Sequence, residues 1–147
     1  CWAPESGAAA ADRFRDERGA RTVVFAGPYE EETARRIVAA AKSPVATSAG
    51  RGFGLDVFKA LVERVDLLVT NDSGPRHFGA ALGRPTVTLF GPTQQEITYI
   101  YYDREVVIQK DVECGPCQRR TCPLDHRCMT GIEPAEVVEA GKRLLAR

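Results

Sequence analysis

The chain has 147 residues, the size of one ordinary domain. Its 20 Lys and Arg against 20 Asp and Glu leave no formal net charge, which argues against a nucleic-acid binder held by bulk charge and against a polybasic membrane anchor. Hydrophobic residues at 44% and charged residues at 27% argue against disorder, and no apolar run approaches the ~18 residues that a membrane-spanning helix needs.

Pro4 and Glu5 suit the first turn of a helix, which the pattern carries to about Arg18 and ends at Gly19. Thr22 to Ala26 is a short apolar run that reads as a buried strand. Glu30 to Lys42 reads as a helix with three acids in its opening turn and an apolar stripe containing Ile37 and Val38. Pro44 to Thr47 is a short strand, and Leu55, Phe58, Leu61 and Val62 share one face of a further helix. Val65 to Thr70 is the clearest strand. Pro75 to Leu82 is a short helix closed by Gly83, Pro85 to Phe90 a strand, and Glu105 to Ile108 a weaker one. A last helix opens at Pro134 and runs through Leu145, with Val137, Val138, Ala140 and Leu144 on it.

This alternation implies an α/β fold with a Rossmann-like parallel sheet covered on both faces. Such a sheet places its ligand site in the loops that follow the strand C-termini. A helix as first element is unusual, and residue 1 is Cys rather than Met. Both features lead us to expect a truncated chain whose first strand lies upstream. No signal peptide or lipidation motif is visible.

Three loops fall at strand ends. Thr70-Asn71-Asp72-Ser73-Gly74-Pro75-Arg76-His77 runs from a strand through a polar turn into a helix. Ser73 or Gly74 serves as its N-cap, and the free N–H groups with the helix dipole suit phosphate. Asp72 is placed to accept from sugar hydroxyls, and His77 to donate to a phosphate oxygen. The plain alternative is a capped helix with a structural Asp turn. Phe90-Gly91-Pro92-Thr93 repeats the arrangement, with Gly91 allowing close backbone approach to a ligand. In Gly27-Pro28-Tyr29-Glu30-Glu31-Glu32 the acids suit either ribose hydroxyls or simply a helix start, and the pattern favours the helix start. The glycine fingerprints of dinucleotide-binding and P-loop proteins, and the nucleophile elbow of hydrolases, do not occur.

Cys114, Cys117, Cys122 and Cys128 place four thiols within fifteen residues, amid the turn-forming Gly115, Pro116 and Pro123. The spacing suits a structural tetrahedral Zn²⁺, with His126 as a substitute ligand. An iron–sulfur cluster, two disulfides in an oxidising compartment and a reduced metal-free loop stay open. Cys1 stands apart.

Val65 to Phe78, Ala80-Ala81-Leu82-Gly83-Arg84-Pro85 and Leu89 to Thr93 together resemble the C-terminal half of the heptosyltransferases, glycosyltransferase family 9. The Cys114-Gly115-Pro116-Cys117 to Cys128-Met129 stretch resembles the tail of a heptosyltransferase II-like branch. The resemblance covers nearly the whole chain, and Asp72-Ser73-Gly74-Pro75-x-His77 is its most specific part.

The resemblance implies the donor-binding domain of a GT-B enzyme, with residues 1–147 as that domain and 111–130 as a Cys-rich excursion. It implies an inverting transfer of heptose from ADP-heptose to a lipid A–core acceptor, with no required metal. Ser73, Gly74, Pro75 and His77 would then hold the diphosphate, Asp72 the heptose, Glu30 or Glu31 the ribose, with Gly91 and Thr93 lining the second loop. The N-terminal acceptor domain, which supplies the general base, is absent, so the chain alone is expected to be inactive. Location is expected in the cytoplasm, at the inner membrane face, with peripheral membrane contact and no nucleic-acid partner. Gly79 departs from the Ala common in the family. Two alternatives stand beside this reading: a zinc-stapled, non-enzymatic interaction module, and a different GT-B nucleotide-sugar enzyme.

Overall fold

The computed structural model describes residues 2–146. It divides into two compact units, one of residues 3–60 and one of Trp2 with residues 61–146.

In the first unit, helix α1 (Pro4–Arg18) ends at Gly19, whose φ of 65° is the left-handed geometry that glycine adopts freely. Its buried face consists of Ala8, Ala10, Ala11 and Phe14. Strand β1 (Thr22–Val24) pairs in parallel with β2 (Val45–Thr47), and α2 (Glu31–Ala40) connects them. Asp12 ties α1 to the turn after α2. Its carboxylate accepts the backbone N–H groups of Lys42 and Ser43 and the Ser43 hydroxyl, at 2.7 to 3.0 Å. These bonds hold the Asp12 carboxyl below its usual range, the Lys42 N–H first among the causes. Phe25 meets Phe58 edge to face at 5.3 Å.

Helix α3 (Leu55–Val62) leads into the second unit. Strand β3 (Leu68–Asn71) begins later than the apolar run suggested. Arg64 and Val65 still hydrogen-bond back to Leu61 and Val62 in the turn that closes α3, so those residues are unavailable to a ladder. Helix α4 (Gly74–Ala81) follows, then β4 (Thr86–Phe90) and β5 (Glu105–Gln109). The three strands form a parallel sheet in the order β3-β4-β5. All five residues of β4 are buried, as a central parallel strand requires. Two short elements went unread in the sequence: a 3-10 turn at Gln95–Thr98 and helix α5 (Arg127–Thr130).

The last helix, α6 (Pro134–Leu145), packs on this sheet. Val137, Ala140 and Leu144 join Val87, Leu89, Cys128, Met129 and Ile132 in one core cluster, and Trp2 packs against it. The Trp2 indole donates to the Ile132 carbonyl at 2.9 Å. Glu133 and Glu136 form a reciprocal capping box at the start of α6.

Every pairing is parallel, as the alternation of elements predicted. The strands nevertheless form two sheets, β1-β2 and β3-β4-β5, rather than the single sheet expected. Among the described residues β1 pairs only with β2, and β3 only with β4.

Candidate functional site

Strand β3 and α4 meet in the Asp72–His77 turn. The Asp72 N–H donates to the Leu89 carbonyl at 3.1 Å, one residue past the register pair Asn71 and Leu89. The chain then breaks away from the sheet. Ser73 is the N-cap residue with an extended backbone, but its hydroxyl donates to the Asn71 carbonyl at 3.3 Å and caps nothing. Pro75 sits in the first turn, where a missing N–H costs nothing. Ser73, Gly74 and His77 are exposed. An added Cβ at Gly74 would meet nothing within 4 Å, so the approach to the backbone there is open. The result is an exposed helix start, open at Gly74, carrying the positive end of the dipole.

Asp72 is held differently from what its sequence position suggested. One carboxylate oxygen, Oδ1, accepts from Arg76 Nη1 at 3.3 Å and from the Thr98 hydroxyl at 3.4 Å. Its side chain is 10% exposed.

Arg76 is the residue that the sequence reading passed over. It is fully buried, on the inner face of α4 with Gly79. Its Nε and Nη2 donate to the two oxygens of Glu105 at 2.7 and 3.0 Å, a bidentate pair. Nη1 also donates to the Thr98 carbonyl at 2.8 Å. The guanidinium carbon lies 4.9 Å from the centre of the Phe90 ring. A cation in the first turn of a helix opposes the dipole, and two carboxylates offset it here. The Glu105 bond raises the Arg76 pKa, against the opposing effect of burial. The only local signal was spacing: Arg76 and Gly79 stand three apart on the face that turns inward.

The second loop, Gly91-Pro92-Thr93, follows β4. Here the structure corrects the reason for the glycine. Gly91 is buried, and a Cβ would come within 2.6 Å of the Met129 sulfur and 3.6 Å of Cys128 Sγ. Its smallness admits α5, not a ligand. Gln109 donates to the Thr93 carbonyl at 2.8 Å, and the Gln118 N–H to the Pro92 carbonyl at 2.8 Å. The Cys-rich segment thus braces this loop from behind.

Cys114, Cys117, Cys122 and Cys128 line one recess of about 20 Å³, together with His126 and Pro92. All four are free thiols. Cys122 Sγ accepts the Leu124 N–H at 3.4 Å. Burial, and after it the neighbouring Cys122, pushes the Cys128 thiol up. Among the described residues no three His, Cys, Asp or Glu side chains are grouped so as to hold a metal ion. Cys1 lies outside the described residues.

The third loop belongs to the first unit. Glu30 Oε2 accepts the Gly27 N–H at 3.0 Å, and Glu31 pairs with Arg35 at 2.7 Å, four residues on. These are the bonds of a helix start.

A model of glycosyltransferase family 9 (heptosyltransferase) matches residues 1–127. The chain belongs to that family. The lipopolysaccharide heptosyltransferase 2 of Salmonella typhimurium is 34% identical over 132 residues, 87% of this chain and 38% of the relative. The lipooligosaccharide heptosyltransferase 2 of Campylobacter jejuni is 42% identical over 82 residues, 54% of this chain and 26% of the relative. A solved structure of the Escherichia coli ADP-heptose heptosyltransferase II superposes with a TM-score of 0.84 at 30% identity, covering 99% of this chain and 42% of that one. This family 9 chain thus spans less than half the length of those relatives. Its Asp72–His77 turn, Gly91–Thr93 loop and Cys114, Cys117 and Cys122 all fall inside the matched residues. No helix among the described residues is long and apolar enough to cross a membrane.

Proposed function

We propose that this chain is the donor-binding portion of an inverting heptosyltransferase. It takes ADP-heptose as donor and serves transfer to a lipopolysaccharide core acceptor at the cytoplasmic face of the inner membrane. The observation that carries this reading is the exposed, uncapped start of α4, presented by the Ser73-Gly74-Pro75 turn at the end of a parallel strand. Pro75 has no N–H and the Arg76 N–H donates to the Ser73 carbonyl at 3.1 Å, so the backbone N–H groups of Ser73 and Gly74, with the helix dipole, are the donors offered to a diphosphate. His77 on the first turn adds a donor to a phosphate oxygen. These contacts strengthen as charge builds on the departing diphosphate, which is how such a site lowers a barrier.

In this reading Asp72 offers its Oδ2, which has no hydrogen-bond partner among the described residues, to a sugar hydroxyl. Thr93 contributes from the neighbouring loop. No metal is assigned to the transfer, and the general base and acceptor surface are assigned to residues outside these 147. Membership of family 9 favours this over a non-enzymatic module. The reading predicts that His77→Ala weakens ADP binding by roughly 10- to 100-fold, the worth of a charge-assisted hydrogen bond. Calorimetry on the two proteins reads this directly. Equal affinities would remove His77 from the phosphate site.

A further inference from the structure

We propose that Arg76 is a positioning residue: it clamps Asp72 to the Gln95–Thr98 turn so that Asp72 Oδ2 meets the sugar of a bound nucleotide sugar in one fixed orientation. The proposal rests on the donor reading above, and it adds a residue that neither the strand-end motif nor the family match singles out.

Three segments far apart in sequence meet at one guanidinium. Glu105 on β5 lies 29 residues from Arg76, and Thr98 lies 22. Asp72 lies four residues before Arg76, at the end of β3. Every nitrogen of the fork is used: Nε and Nη2 on Glu105, Nη1 on Asp72 and on both the carbonyl and the hydroxyl of Thr98. Thr98 closes the triangle by donating to the same Asp72 oxygen. Glu105 is itself fixed by the Thr88 hydroxyl on β4. Phe90, the residue before the Gly91–Thr93 loop, carries the guanidinium on its face. The end of β3, through Asp72, and the end of β4, through Phe90, therefore both touch one buried cation.

A purely structural ion pair between Arg76 and Glu105 would need no second carboxylate. Asp72 sits at the rim, one-tenth exposed, with Oδ1 consumed inward. A carboxylate pinned through one oxygen presents the other in a single rotamer, which removes the ordering cost from ligand binding. Lysine cannot substitute, because a point charge does not reproduce the planar fork.

The test compares the chain with Arg76→Met/Glu105→Leu, which removes the buried ion pair together and leaves Asp72 only its Thr98 bond. The two readouts are amide hydrogen exchange of peptides covering 94–99, and calorimetric affinity for ADP and for ADP-heptose. We expect exchange at 94–99 to rise by at least about tenfold while peptides from β4 stay protected. ADP affinity should change less than about twofold, and ADP-heptose should lose its advantage over ADP, by about tenfold. Unchanged exchange at 94–99 overturns the clamp, and an equal loss for both ligands overturns the sugar-facing role. If the unmodified chain binds neither ligand, the donor reading fails while exchange still decides the clamp. Should the double variant not melt cooperatively, Arg76→Lys, which keeps the charge and loses the fork, is read in the same way with the same expected losses.

Discussion

Replacing Gly79 with alanine is the change whose sign the structure fixes against helix propensity. Gly79 lies mid-helix on the buried face of α4, where alanine normally gains about 1 kcal/mol over glycine. A Cβ at this position would stand 2.4 Å from the Thr86 hydroxyl and 3.0 Å from Leu68 Cδ2. Leu68 can rotate away. Thr86 cannot do so freely: it is β-branched, buried, and donates to the Arg84 carbonyl at 2.9 Å. Overpacking of this kind costs about 1–3 kcal/mol, and the lost Thr86 bond about 1 kcal/mol more. Against the propensity gain, Gly79→Ala should destabilise by about 1–3 kcal/mol. That lowers Tm by roughly 2–4 °C per kcal/mol for a chain of this size. In a Thr86→Ala background the obstructing hydroxyl is gone, and the same change should become neutral or stabilising by up to about 1 kcal/mol. Urea melts of the four proteins close the cycle. A Gly79→Ala chain more stable than the parent would refute the steric argument. Thr86 fills the space that a Cβ at position 79 would need.

Two further expectations concern the cysteine recess and Asp12. Alkylation of the reduced chain should modify Cys114, Cys117 and Cys122 before Cys128, whose thiol is buried and shifted up; resistance of all four until a chelator is added would instead mean a bound ion of the kind the cysteine spacing suggested. Asp12→Asn should destabilise the chain at neutral pH. Because its folded pKa is lowered, its contribution is full above the unfolded value of about 3.9 and is lost as pH falls through the folded value. The gap between variant and parent should therefore narrow by about pH 3. An equal gap at pH 7 and pH 3 would show that no ionised carboxylate accepts the Lys42 and Ser43 N–H groups.

Much of the fold is local in origin and was legible for that reason. Pro4 and Gly19 bracket α1, and apolar runs separated by amphipathic stretches gave the parallel pairing. The strand–turn–helix at Asp72–His77 is a local motif, and its exposure matches what a ligand site needs. What stayed hidden depends on distant partners. Arg76 looks like one more polar turn residue until Glu105 arrives from β5. Gly91 looks like a ligand-facing glycine until Met129 packs on it. Glu30 and Glu31 could be read either way, and their bonds to Gly27 and Arg35 are those of a helix start. The division of the strands into two sheets has no local signature, because periodicity reports which residues form a strand and not which strands pair.

The central claim is that this chain binds an adenine nucleoside diphosphate through the Asp72–His77 turn. Thermal melts of the chain with ADP, UDP and GDP in parallel test it most directly. ADP at about 100 times its Kd should add about 2.7 kcal/mol to the folded state, a rise of roughly 5–10 °C, with UDP and GDP giving markedly less. A chain that melts cooperatively at the same temperature with all three nucleotides would contradict the account.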